Sequence, residues 1–141
     1  MKVIKGIESN PEAIYQAFRT KFRVFDMGGM PDTDTLKYIT LLVDEGEIVG
    51  MLVTNQMRNR ICYLAIAKEY QRKGYGKMLF EESCRIMDLN KFGMTLTSHN
   101  EESNKFWERM GFKVVRIHHT KKTHQKKYKM IYDKGLVEEW L

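Results

Sequence analysis

The chain has 141 residues, 43% of them hydrophobic and 30% charged, and a formal net charge of +6. That length is one domain's worth and enough for a real core, and the composition is ordinary for a soluble globular protein. No run approaches the ~20 apolar residues of a bilayer-spanning helix, and the N-terminus lacks the apolar core of a signal peptide, so no membrane partner is expected.

The opening residues 2–7 carry Val3, Ile4 and Ile7 and predict a strand. Asn10-Pro11 predicts a helix cap followed by proline at the first helical position. Ile14, Ala17, Phe18, Phe22 and Phe25 make an apolar helical stripe to about Phe25, and Met27-Gly28-Gly29-Met30-Pro31 breaks it. Residues 32–38 hold a short second helix or a turn. Residues 39–43 and 48–54, joined through Glu45-Gly46, predict an antiparallel hairpin, and residues 60–67 pair next. From about Gly76 a helical pattern puts Glu81, Glu82, Arg85 and Asp88 on one face. Leu79, Phe80, Ser83, Ile86 and Met87 take the wide opposite face, as expected against a sheet.

A short strand over residues 94–97 follows. Asn100 is placed to cap the next helix, with Glu101 and Glu102 in its first turn and Gly111 at its end. Residues 113–119 and 128–132 are the last strands, joined by a polar, lysine-rich loop. The order β-α-(α)-β-β-β-α-β-α-β-β predicts an α/β (α+β) fold, a mixed sheet with helices on both faces, as a single domain over residues 1–141. Cys62 falls in a strand and Cys84 on a helix, without motif spacing. Two buried thiols in a reducing cytoplasm are expected, neither staple nor metal site. The positive charge is local. Residues 113–134 hold eight Lys/Arg against one acid, Asp133, which leaves −1 for the rest of the chain.

The stretch richest in chemistry is Gln71-Arg72-Lys73-Gly74-Tyr75-Gly76. Strand, glycine-containing turn and helix N-terminus together point unpaired N–H groups and a partial positive charge at an anion. Arg72, Lys73 and Lys77 add charge beside those donors. The segment reads as a pyrophosphate cradle, with a plain surface turn as the alternative. A dinucleotide fingerprint needs glycine where Leu79 stands, and a Walker-type loop needs glycine at Gln71 and Ser/Thr at Met78. What remains, Q-x-x-G-x-G, resembles the acyl-CoA pyrophosphate loop of the GNAT acyltransferase superfamily.

Two further segments carry that resemblance. Leu64-Ala65-Ile66 leading into Glu69-Tyr70-Gln71 resembles the family's fourth strand running into its CoA loop. Asn100-x-x-Ser103-x-x-Phe106-Trp107-x-x-x-Gly111-Phe112 resembles its second motif, usually Asn-x-x-Ala-x-x-Phe-Tyr-x-x-x-Gly-Phe. Arg23-Val24-Phe25, followed by Gly-Gly and an acidic stretch, resembles a subset in which this region shapes the acceptor pocket. The resemblance covers nearly the whole chain. It implies a GNAT-like, mostly antiparallel sheet of about seven strands, and acetyl-CoA as acyl donor. A small-molecule or peptide amine would be the acceptor, and no metal is needed. The backbone of Leu64, Ala65 and Ile66 would pair with the pantetheine arm. Gln71, Arg72, Lys73, Gly74, Tyr75, Gly76 and Lys77 would hold the pyrophosphate. Asn100, Ser103 and Trp107 join the cofactor side, with Asn100 either contacting the cofactor or capping only. Phe106 and Phe112 read as core.

The implied mechanism is direct attack of the amine on the thioester carbonyl in a ternary complex. Positioning and polarisation lower the barrier, and proton transfers complete it. Here the sequence departs from the family. Trp107 stands where a proton-donating tyrosine is usual, and Arg60 where some relatives carry a glutamate base. The candidates for proton transfer are His99, Tyr63 and Tyr128, in falling order. His118, His119 and His124 lack metal spacing with any Cys or acid. Lys121, Lys122, Lys126, Lys127 and Lys129 leave three readings open: a lysine-protected edge, an acidic acceptor or a nucleic acid. No RNA-binding motif with stacking aromatics stands out, and a homodimer is also open. Two function classes result: an N-acetyltransferase, and a non-catalytic acyl-CoA-binding module with nucleic-acid affinity. A third reading, acyl transfer to a modified base, nucleotide or nucleic acid, combines the cofactor loop with the basic segment.

Overall fold

The computed structural model describes residues 1–22, 29–122 and 125–133. The elements in chain order are β1 (Lys2–Lys5), α1 (Pro11–Lys21), α2 (Thr33–Leu36), β2 (Ile39–Asp44), β3 (Glu47–Asn55) and β4 (Arg60–Ile66). Then come α3 (Tyr75–Ile86), β5 (Thr95–Ser98), α4 (Glu101–Arg109), β6 (Phe112–His119) and β7 (Lys126–Tyr132). The sheet has seven strands in the order β1-β2-β3-β4-β5-β7-β6. The pairings β1–β2, β2–β3, β5–β7 and β6–β7 are antiparallel, and β4–β5 is parallel. This is the mixed, mostly antiparallel sheet expected.

The chain divides into two compact units. One holds Met1–Gln56 and Cys62–Leu89, the other Met57–Ile61 and Asn90–Leu141. In the first unit, Asn10 caps α1 by accepting from the Glu12 N–H at 2.8 Å, and Pro11 opens the helix. Ile14, Ala17 and Phe18 form its buried stripe. The helix ends at Lys21 with Phe22 as its C-cap, earlier than the apolar spacing predicts, and Phe25 lies outside the described residues, as does the Arg23-Val24-Phe25 signal. β1 likewise stops at Lys5, where a 3-10 turn over Gly6–Glu8 takes over. Ile7 belongs to that turn and is exposed, so the predicted strand is shorter by two residues.

β2 and β3 are buried along nearly their whole length. Successive strand residues point to opposite faces, so such runs require cover on both. α1 and α3 both pack on β3 and supply it. The Thr40 and Ser83 hydroxyls, both fully buried, satisfy each other at 2.6 Å where α3 crosses β2. The face of α3 that carries Leu79, Phe80 and Ser83 is the buried one, as its periodicity predicts. Cys84 is buried there, but Cys62 is exposed on β4, contrary to the expectation of two buried thiols. β4 is buried on one side only in this stretch, which its apolar composition does not reveal.

In the second unit α4 packs on β5 and β6. Trp107, Met110, Phe112, Leu96, Tyr128 and Met130 make its core. Trp107 meets Phe106 and Phe112 edge-on at centroid distances of 5.0 and 5.3 Å, a favoured arrangement for quadrupolar rings. Residues 113–119 form a strand as predicted, with Phe112 added. β7 begins two residues earlier than predicted, at Lys126.

Candidate functional site

The first unit contains the loop at 71–77. β4 runs into a 3-10 turn over Lys68–Tyr70, anchored where the Ala67 N–H donates to the Val49 carbonyl at 2.8 Å. Arg72 then takes a left-handed φ of 63°, uncommon for a residue other than glycine. Gly74 follows at φ 84° as the N-cap of α3, and no side chain caps this helix. The first helical bond runs from the Met78 N–H to the Gly74 carbonyl at 3.1 Å. The N–H groups of Tyr75, Gly76 and Lys77 therefore lie ahead of any carbonyl partner within the helix. A Cβ added at Gly74 would meet nothing within 4 Å, so the space in front of the turn is open. Gln71, Arg72, Lys73 and Lys77 are exposed around it.

Three contacts brace this loop. The Gln71 side-chain amide donates to the Ile66 carbonyl at 2.9 Å, folding the loop back on the end of β4. The Tyr70 hydroxyl donates to Asp44 Oδ2 at 2.7 Å, and its ring lies 6.0 Å from that of Tyr75. The hydrogen bond to Asp44, followed by desolvation, pushes the Tyr70 phenol up to about 12. Sequence reasoning missed Tyr70 and Asp44 as a pair, because nothing in their spacing marks a strand end and a distant turn as neighbours. Leu64, Ala65 and Ile66 are half-buried on β4, and the Ile66 carbonyl already accepts from Gln71.

Tyr63 is half-buried in the first unit. Its hydroxyl donates to the Phe22 carbonyl at 2.9 Å, its ring tilts against Phe18 at 5.7 Å, and burial pushes its phenol up to about 12. The structure thus places it as a tie between β4 and the end of α1 that holds its proton firmly.

The remaining candidates lie in the second unit. Asn100 caps α4, its Oδ1 accepting from the Ser103 N–H at 2.7 Å, while Ser98 Oγ donates to the Asn100 carbonyl at 3.1 Å. His99 stands exposed between β5 and that cap. Tyr128 is buried, opposite Ser98 and Ile117 in the sheet register. Trp107 is only 7% exposed, and an indole N–H is a donor with no accessible titration. Arg60 donates to Thr97 Oγ1 at 2.8 Å. Within this unit β4 pairs with β5 at Arg60↔Thr95 alone. Asn104 is a further residue that sequence reasoning passed over. Its side chain is buried, and among the described residues its Oδ1 has no hydrogen-bond partner. No cluster of three or more metal-ligating side chains occurs among the described residues, and no described helix is long and apolar enough to cross a membrane.

First-turn amides, a left-handed glycine and open space among cations are together features of an anion site. Comparison with known proteins gives the family. Residues 10–133 match the family model described as an acetyltransferase (GNAT) domain. Among curated protein sequences none matches. The ribosomal-protein-S18-alanine N-acetyltransferase of Escherichia coli superposes with a TM-score of 0.68 at 16% identity, over 93% of this chain and 92% of that one. Naa20 of Chaetomium thermophilum, solved with a bisubstrate analogue, gives 0.66 at 16%, over 99% and 90%. The PaiA N-acetyltransferase of Thermoplasma acidophilum, in complex with coenzyme A, gives 0.62 at 17%, over 93% and 98%.

Proposed function

The chain belongs to the GNAT acetyltransferase family, and from that premise we propose how its residues serve the transfer of an acetyl group from acetyl-CoA to an amine. The observation that carries the assignment is the start of α3. The amides of Tyr75, Gly76 and Lys77, behind the left-handed Gly74, would receive the donor's pyrophosphate. Arg72, Lys73 and Lys77 supply matching charge, and Gln71 sets the loop's angle to β4 through Ile66. Backbone groups of Leu64, Ala65 and Ile66 would hold the pantetheine arm as a further strand. The half-exposure of these residues supports this.

Acetyl-CoA supplies an activated thioester carbonyl, so the protein's task is to position the amine, polarise the carbonyl and move protons. Among the three proton-transfer candidates, His99 is the exposed one and stands first. The Tyr63 hydroxyl is engaged in donating a hydrogen bond to the Phe22 carbonyl, and Tyr128 is buried, which supports the same falling order. Trp107 contributes by packing, with its ring in the second unit's aromatic cluster, and Asn100 and Ser103 hold the start of α4. The acceptor is a small-molecule or peptide amine. Family membership favours transfer over a non-catalytic binding module. The match over residues 10–133 supports reading both units as one acetyltransferase domain. The exposed thiol of Cys62 supports a reducing, cytoplasmic setting.

The test is release of free CoA thiol from acetyl-CoA across a panel of amines and peptides. Turnover with at least one acceptor is expected. Replacing His99 by Gln should lower kcat/KM by ~100-fold, the low end for general acid–base catalysis. CoA binding without turnover on any acceptor would return the non-catalytic reading.

A further inference from the structure

Acetyl transfer leaves one feature of the second unit unused. Residues 112–132 contain no Asp or Glu. The register of β6 and β7 sets basic side chains directly against one another: Arg116 opposite Lys129, His118 opposite Lys127 and His119 opposite Lys126. All six are exposed. Like charges directly opposite destabilise an antiparallel pair, so the Arg116–Lys129 row works against the hairpin's own stability. Lys113 has Asp133 at 3.1 Å. Among the described residues none of those six has a carboxylate partner.

Edge protection accounts for only part of this. Lysines guard exposed strand edges, yet Lys129 lies where β7 is paired with both β5 and β6. The geometry is that of a projecting ribbon. β5 pairs with β7 only from Tyr128 to Ile131. The rows His118–Lys127 and His119–Lys126 therefore extend past β5, closed by the Thr120 N–H donating to the Gln125 carbonyl at 3.0 Å. Successive residues face opposite sides. Lys127 with His118 lies on one face and Lys126 with His119 on the other, with Lys121 and Lys122 exposed at the turn.

Cations on both faces of a ribbon select among anionic partners. An acidic peptide laid along one face or along the β6 edge would leave the opposite row unmatched. A second copy paired along β6 would bring like charges together. A nucleic-acid duplex surrounds an inserted two-stranded ribbon with phosphates on both sides. The B-form major groove, ~12 Å wide, admits one, whereas the A-form major groove is too deep and narrow. We propose that the β6–β7 ribbon docks in the major groove of a B-form duplex, held by phosphate contacts from both faces. The contacts are to the backbone, so binding is salt-dependent and tolerant of sequence. The inference does not rest on acetyl transfer.

The experiment is fluorescence anisotropy of the full chain with a labelled DNA duplex over a salt series. The variants are Lys127→Gln/Lys129→Gln on one face and Lys126→Gln on the other, with Lys2→Gln/Lys37→Gln as a control of equal charge. Each ribbon cation removed should reduce the slope of log affinity against log salt by ~0.9, from either face, while the control leaves it unchanged. The duplex should bind more tightly than a single strand or an RNA duplex of equal length, and polyglutamate should compete poorly. A loss confined to one face, an equal loss in the control, or preference for single strand, RNA duplex or polyglutamate would each overturn the proposal. Replacing Lys129, which faces Arg116, should leave the thermal midpoint unchanged or raise it. Weakened binding that appears only with a lowered midpoint would assign these residues to the fold and sink the docking role.

Discussion

At Gly74 the backbone holds φ at 84°, and an added Cβ would meet open space, so any penalty there comes from the backbone alone. A β-branched residue in that conformation costs ~1–2 kcal/mol, which the exposed loop can relieve by leaving the geometry that aims the α3 amides. Gly74→Val is expected to weaken CoA binding at least tenfold by calorimetry, with an unchanged far-ultraviolet circular dichroism spectrum. Gly74→Asn should do less, because asparagine tolerates this region. Parental affinity in the valine variant would remove the loop from the donor site. Tyr63 and Tyr70 supply a different residue-scale test. Burial raises the first phenol and the Asp44 hydrogen bond raises the second, each from 10 to about 12. A phenol held above its unfolded value favours the neutral form, so its contribution to stability is complete below pH 10 and is lost as pH rises towards 12. Urea midpoints should fall across that window, and Tyr70→Phe should flatten the fall. An alkaline decline identical in the variant would show that the Asp44 contact does not control the titration.

Helix α4 shows how far an element can be read before it is seen. Asn100, two acids in the first turn and Gly111 beyond the end mark its limits, and the 2.7 Å cap to Ser103 bears that out. Asn100→Ala should cost ~1 kcal/mol in chemical denaturation. The burial of Asn104 was not legible, because a polar residue amid Glu101, Glu102 and Lys105 reads as solvent-facing. Its burial follows from position, one turn after the cap and one turn before Trp107 on the face that meets the sheet. A buried acceptor without a partner costs ~1–3 kcal/mol, and leucine has nearly the same shape as asparagine. Asn104→Leu should therefore raise the unfolding free energy by at least ~1 kcal/mol at unchanged denaturant slope. A destabilised variant would mean that the amide is satisfied in solution.

Across the whole molecule, the succession of elements along the chain and the buried face of α3 were legible because hydrophobic periodicity reports an element's type and which side of it meets a sheet. Ties between distant segments were not. Tyr70 to Asp44, Tyr63 to the Phe22 carbonyl and the opposed cations of β6 and β7 depend on register, which composition and spacing leave undetermined. The loop at 71–77 falls between these cases. Its glycines announce a turn before a helix, but the left-handed Arg72 and the bracing by Gln71 emerge only from the folded chain. If that loop is where the donor binds, ligand binding must appear in global stability. A ligand that binds only the folded state at about one hundred times its Kd adds ~2.7 kcal/mol, so saturating CoA should raise the thermal midpoint by several degrees. The rise should vanish in Gly74→Val, whose ligand-free midpoint should stay close to the parent's, because the substitution sits in an exposed turn. Hydrogen exchange supplies the address, with CoA-dependent protection expected at the amides of Tyr75, Gly76 and Lys77. An undiminished thermal rise in Gly74→Val, with protection centred elsewhere, would place the donor away from α3.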